Sequence, residues 1–242
     1  MNVLTKSLNK NNNFPPDASR IISYQYYSII SEILDEIFLS ENFDVKHVFD
    51  RKINKIISID FRDKSEIRNT VSGVIKNKYL LEYILKKYSV KPLGKFKRKE
   101  KIIIFTGIYE IMFSSKPEYA AVCELVTFSK KKCGENFGNF VNALLKKIAA
   151  DKEKIKTSIS SYPPAIRFSQ PQWFLDLLYG QKYLADFAED ILKFYHTPPN
   201  YYLRVNNIKS SIDTVISSLN DSGILSEYNN ICVYCSSSNA ID

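Results

Sequence analysis

From about residue 20 to residue 155, apolar side chains return every three or four positions, and that period leaves little choice of fold. Ile22, Tyr26, Ile29, Ile30, Ile33 and Ile37 share one side of a helix over about 20–39. Val45, Phe49, Ile53 and Ile56 repeat the pattern. Asp63 opens a third helix, whose face runs on through Ile67, Val71, Val74, Ile75, Leu81, Ile84, Leu85 and Tyr88 until Pro92 and Gly94 break the chain. A fourth helix, about 97–114, turns Ile102, Phe105, Tyr109, Met112 and Phe113 inward. Beyond Pro117 a fifth, about 119–132, carries Val122, Leu125, Val126 and Phe128, and Gly134 is placed to stop it as a left-handed residue. Phe137, Phe140, Val141, Leu144, Leu145 and Ile148 stripe a sixth. No strand alternation interrupts, so residues 20–155 are expected to pack as a helical bundle with short loops.

The flanks have a different character. Residues 1–19, with Asn11-Asn12-Asn13 and Pro15-Pro16, are expected as a disordered leader. Residues 156–170 contain Ser160-Ser161-Tyr162-Pro163-Pro164 and read as a linker. Within 171–242 come helices over about 172–178 and 182–195, a strand over Tyr201–Val205, a helix from Ser211 to Leu219 closed by Gly223, and a strand over Ile231–Tyr234. The class expected is mainly α: a helical bundle followed by a short, incomplete α/β segment.

Composition removes several functions. The chain has only seven glycines, and Gly134 and Gly138 form its densest cluster, so Walker-type and dinucleotide phosphate loops are absent from the sequence. Four cysteines in 242 residues make no disulfide framework. Cys232-Val-Tyr-Cys235 has metal-ligand spacing, but zinc needs four ligands and the two histidines, His47 and His196, stand in unrelated places. These cysteines read as strand residues, with no metal site. The first twenty residues hold no apolar secretory segment, and no run reaches the length that spans a bilayer, so a cytoplasmic protein is expected.

Charge points to a partner. The net charge is +8, yet residues 86–101 hold eight basic side chains against Glu100, a local +7, while the rest of the chain nets +1. Such concentration is an electrostatic footprint for an anionic polymer. Lys97, Arg98 and Lys99 fall at the expected start of a helix, where cations oppose the macrodipole by ~0.3–1 kcal/mol each. A feature that lowers local stability asks for a use, and Lys95, Lys97, Arg98 and Lys99 are the candidate phosphate contacts on RNA. The competing reading is a solvated lysine-rich turn. Lys130-Lys131-Lys132 and Lys146-Lys147 sit near helix ends that suit cations and read as structural. Tyr24, Tyr26 and Tyr27 could stack on bases, although Tyr26 belongs to the apolar stripe.

The motifs also resemble a known family. Asp63-Lys-Ser-Glu-Ile-Arg-Asn-Thr-Val-Ser-Gly-Val-Ile-Lys76 is similar to the third helix of NusB-type domains, and Lys91-Pro92-Leu93 followed by Ile108-Tyr109-Glu110-Ile111-Met112-Phe113 is similar to the next. Pro117-Glu118-Tyr119-Ala120-Ala121-Val122-Cys123-Glu124 matches a loop-and-helix motif in which Asn is usual at the place of Cys123. Phe140-Val141-Asn142-Ala143-Leu144-Leu145-Lys146 resembles the most specific motif, Phe-Val-Asn-Ala-Val-Leu-Arg. Ser161-Tyr162-Pro163, Trp173-Phe174, Thr197-Pro198-Pro199 and Leu203-Arg204-Val205-Asn206 resemble the RsmB/Sun branch, the small-subunit rRNA cytosine-5 methyltransferases.

That resemblance implies a NusB-like RNA-binding domain over 20–155 and the start of a small RNA-recognition-like domain, with ribosomal RNA as partner. Arg204 and Asn206 become candidates through it, since alternate positions of a strand share a face. The family uses S-adenosylmethionine and two catalytic cysteines, one following Pro or Thr. This sequence has neither Pro-Cys nor Thr-Cys and no glycine-rich cofactor loop. The expectation is therefore an amino-terminal, truncated piece that is inactive alone, with no catalytic residue and no cofactor of its own. It would work with a separate methyltransferase domain or a ribosomal protein. The alternative is a stand-alone, NusB-like transcription antitermination factor.

Overall fold

The structure, a computed structural model, describes residues 23–39, 44–54, 56, 59–197, 201–206, 208–221, 226–228 and 232–235. The expected leader and Gly223 lie outside the described residues. The chain forms two compact units, divided between Gln172 and Trp173.

In the first unit the helices are α1 (Ser23–Leu39), α2 (Val45–Ile53), α3 (Phe61–Lys76), α4 (Lys78–Tyr88), α5 (Arg98–Phe113), α6 (Glu118–Cys133), α7 (Glu135–Ala150), α8 (Lys152–Ile159) and α9 (Pro164–Arg167). A 3-10 turn, Leu93–Lys95, precedes α5. The centre is α5, which packs on α1, α3, α4, α6 and α7. It is apolar on every side: Ile102, Ile103, Ile104, Phe105, Ile108, Ile111 and Met112 are all buried. A single inward stripe is thus the wrong picture for this helix. Phe113, expected inward, is 42% exposed, because the helix ends there. Gly107 lets the neighbours close in, since a Cβ at that position would stand 2.5 Å from Leu125 and 2.8 Å from Leu145.

Two local expectations change. The third helix does not continue to Tyr88. Asn77 interrupts it at φ −102°, ψ 13°, with its side-chain amide donating to the Gly73 carbonyl at 2.9 Å, and α4 starts afresh. The N-cap of α3 is Asp60; Asp63 lies in the first turn. Gly134 ends α6 at positive φ, as expected, but its φ of 94° and ψ of 162° lie outside the left-handed helical region, in backbone space open essentially to glycine. It serves α6 and α7 at once, and α7 turns back along α6.

Residues 156–170, expected as a linker, are built into the first unit. The end of α8 and the short α9 occupy most of them. Tyr162 is buried and packs on Tyr83 at 4.7 Å between ring centroids, and the Ser169 hydroxyl accepts from the Tyr79 backbone N–H at 3.0 Å. The Tyr162 hydroxyl is buried with no partner among the described residues, which offsets part of the ring's gain, but Ile159 and Ile166 pack on the same core, and burial of apolar side chains of this size stabilises by ~1.5–3 kcal/mol each when complete. A chain ending at 155 should therefore melt several degrees below one ending at 172. Equal melting temperatures in calorimetry would show that 156–172 adds nothing.

The second unit holds all but the first residue of α10 (Gln172–Gly180), a 3-10 turn at Ala185–Phe187, α11 (Ala188–His196), β1 (Tyr201–Arg204), α12 (Ile212–Asp221), β2 (Ser226–Tyr228) and β3 (Cys232–Cys235). The strands form an antiparallel sheet ordered β1-β3-β2, with Leu203 opposite Val233 and Arg204 opposite Cys232. Val205 is buried among Leu203, Ile212, Val215, Ile216 and Leu219, so α12 closes on the β1 segment. Ser211 caps α12, accepting from the Thr214 N–H at 3.2 Å. The cysteines of the Cys-x-x-Cys pair stand in β3, and among the described residues no group of metal-ligating side chains assembles.

Candidate nucleic-acid interface

Helices α5 and α6 have 16 residues each and are joined by a four-residue loop, so the start of one stands beside the end of the other. The basic segment enters the bundle at this end. Phe96 is its anchor: buried, with its ring 5.6 Å from that of Phe140 on α7. Lys95 and Lys97 flank the anchor and point to solvent, and Lys99 is exposed in the first turn of α5. Lys97 is the N-cap, and a lysine side chain has no acceptor to offer the orphan N–H groups. The Glu100 carboxylate accepts instead from the Lys97 N–H at 2.9 Å.

The four candidates of this segment separate. Arg98 is held by Asp35 of α1, Nε to Oδ1 at 2.6 Å with a longer second contact at 3.4 Å, so its charge is already matched. Lys95, Lys97 and Lys99 have no ion pair among the described residues. Lys91, also basic, leans on Glu100 at 3.4 Å and on the Phe96 ring at 4.3 Å.

One further cation joins them. Burial pushes the Cys133 thiol up, Glu100 adds to the rise, and the charges of Lys132, Lys97 and Lys99 oppose it. Lysines from two helices thus lie within electrostatic reach of one sulfur. Lys132 was read as a helix-end residue only. The signal that could have found it was the equal length of α5 and α6 across the short Pro117 turn. The same geometry corrects the dipole argument. Cations at the positive end of α5 lie beside the negative end of α6, which offsets part of the penalty. What remains is an exposed cluster with few acids.

In the second unit Arg204 is exposed. The strand stops at Arg204, and Asn206 forms a turn: its Oδ1 accepts from Ile208 N at 3.1 Å, and its carbonyl accepts from Lys209 and Ser210. Its oxygen has a structural task, which leaves the amide nitrogen to donate. Of the tyrosines, Tyr24 is 39% exposed, whereas Tyr26 and Tyr27 are both buried and serve the core.

The described helices include none long and apolar enough to cross a membrane. The NusB family model matches residues 28–150. The chain is 23% identical over 163 residues to "Ribosomal RNA small subunit methyltransferase B" of Klebsiella pneumoniae, covering 67% of this chain and 37% of that protein. It is 27% identical over 155 residues to the protein of the same name from Pasteurella multocida, covering 64% and 33%. It spans about a third of the length of these curated relatives. Among solved structures, PH0851 superposes with a TM-score of 0.55 at 15% identity, over 90% of this chain and 49% of that one. T. maritima NusB superposes with a TM-score of 0.50 at 20% identity, over 57% of this chain and 99% of that one. A bundle built on α5, carrying the Ile-Tyr-Glu and Phe-Val-Asn-Ala motifs and matched by the family model over half its residues, makes the chain a member of the NusB family.

Proposed function

We propose that the chain is an RNA-binding module of the kind that begins small-subunit rRNA methyltransferases, and that its first unit grips ribosomal RNA through Lys95, Lys97 and Lys99, joined by Lys132. The observation that carries this reading is the exposed lysine cluster at one end of the bundle, without ion pairs among the described residues, on a segment fastened by Phe96. Relatives named as rRNA methyltransferases support the choice of RNA. Arg204 and the Asn206 amide are secondary contacts, on the second unit.

S-adenosylmethionine, the cofactor the resemblance implies, does not fit the described residues. Positions 73, 107 and 138 are packed against Tyr109, Leu125 with Leu145, and Lys130, while Gly94, Gly134 and Gly180 lie in helices or at helix junctions, and none follows a strand. No methyl-transfer step is assigned to them; a methyltransferase domain would supply that chemistry.

Each phosphate contact releases counterions, so changing Lys95, Lys97 and Lys99 together to Gln should flatten the slope of log affinity against log salt by roughly 2–3 units. Arg98→Gln alone should leave that slope unchanged, because Asp35 already neutralises Arg98. A small-subunit rRNA fragment titrated at several salt concentrations makes the measurement. An unaltered slope in the folded triple variant would reduce the segment to a solvated turn.

A further inference from the structure

A cleft of about 260 Å³ opens between α6 and α7, lined by none of Lys95, Lys97, Lys99 and Lys132. Its α6 wall is one stripe at helical spacing: Tyr119, Val122, Cys123, Val126, Thr127 and Lys130. Asn142 and Lys146, one turn apart on α7, form the other wall. Gly138 makes the pairing possible, because any Cβ there would run into the Lys130 side chain. The floor is apolar. Tyr119 stands 83% exposed at one end; α7 runs antiparallel to α6, with Gly138 against Lys130, so Lys146 falls toward the Tyr119 end and Lys130 marks the other. Glu135 pairs with Lys130 at 2.6 Å, and Lys146 has no ion pair among the described residues.

We propose that this cleft is a subsite for one unpaired nucleotide of an RNA strand. The tyrosine offers a π-face on which any base can stack. The Asn142 amide, with both a donor and an acceptor, can meet a base edge, and Lys146 can meet the phosphate. An exposed aromatic, an amide and a lysine around an apolar floor match an amphipathic anion with a flat ring. The cleft also lies on the helix that carries Lys132 at its end, Cys123 being nine residues or ~13 Å along the axis from it. An RNA strand a few nucleotides long can therefore reach both. The proposal rests on the RNA-binding reading for the class of polymer, but it concerns a different surface.

Cys123 is exposed and lines the cleft, so it reports occupancy. Its alkylation by iodoacetamide, followed on its own peptide by mass spectrometry, should slow at least fivefold when the full chain is saturated with single-stranded oligouridylate or with millimolar AMP. Tyr119→Ala, at an exposed position that folding does not need, should abolish protection and weaken oligonucleotide binding roughly tenfold. Lys146→Gln should weaken protection by both ligands. The Lys95/Lys97/Lys99 triple variant should lose salt-dependent affinity yet keep AMP protection of Cys123. If RNA binds with the expected salt slope but Cys123 stays as reactive as before, the subsite is refuted while the RNA-binding reading stands. If protection by AMP persists where the salt slope is unaltered, the lysine cluster fails and the subsite survives. Protection by an acidic tyrosine-containing peptide, with none from either nucleotide ligand, overturns the proposal in favour of a peptide groove.

Discussion

Between pH 8 and pH 5 the parent chain should gain about 2.5 kcal/mol of stability relative to a Glu110→Gln variant. Glu110 is 1% exposed on the central helix, and burial pushes its carboxyl up from 4.5 to about 7. Lys116 and the hydrogen bond from Tyr27 pull in the opposite direction without cancelling that rise, and Glu124 and Glu66 add to it. The Tyr27 hydroxyl donates to Oε2 at 2.7 Å, Lys116 reaches that hydroxyl at 3.1 Å and Glu124 at 2.5 Å, and Oε1 has no partner among the described residues. In the folded chain the acid therefore keeps its proton up to about pH 7, whereas the unfolded chain gives it up near 4.5. Across that window the folded state holds more protons, so stability falls as pH rises and levels off above the folded value. Gln keeps a carbonyl for Tyr27 and does not titrate, so the difference between the two chains isolates this group. Denaturant unfolding at half-unit pH steps measures it. A difference that stays flat from pH 5 to pH 8 would mean that Glu110 is ionised in the fold.

Phe128→Ala should cost ~3–5 kcal/mol and lower the melting temperature by roughly 10 °C. The ring is 1% exposed and stands 5.3 Å from that of Tyr24 and 5.8 Å from that of Tyr27. It joins α6 to α1, and its loss leaves a cavity beside the Tyr27–Glu110 hydrogen bond. Phe128→Leu retains most of the volume and should cost under ~1.5 kcal/mol. Thermal melts of both variants decide the matter, and a fall below 2 °C for the alanine would show that the aromatic cluster adds little. The two perturbations share Tyr27, so a double variant should depart from additivity.

Much of this molecule was legible in its residue order. The 3.6-residue period located α1, α2, α5, α6 and α7 to within a few positions, because each must bury an apolar face and only a helix brings those side chains to one side. The Pro117 turn, the stop at Gly134 and the Ser211 cap could be read because each acts through its own backbone. The family, too, was carried by local motifs, Ile108-Tyr109-Glu110 and Phe140-Val141-Asn142-Ala143 among them.

Pairing across the fold was not legible. Arg98 and Lys99 are adjacent basic residues with the same predicted role, yet only Arg98 meets Asp35, 63 positions earlier. Tyr27 looked as available as Tyr24 until Glu110 and Phe128 closed over it. The break at Asn77 and the inclusion of 156–172 in the first unit depend on what packs against those residues. Period, caps and turns are properties of a few neighbouring residues, and the chain by itself determined them. Whether a charge is free, an acid protonated or an aromatic ring exposed depends on groups far along the chain, and only the tertiary structure decided that.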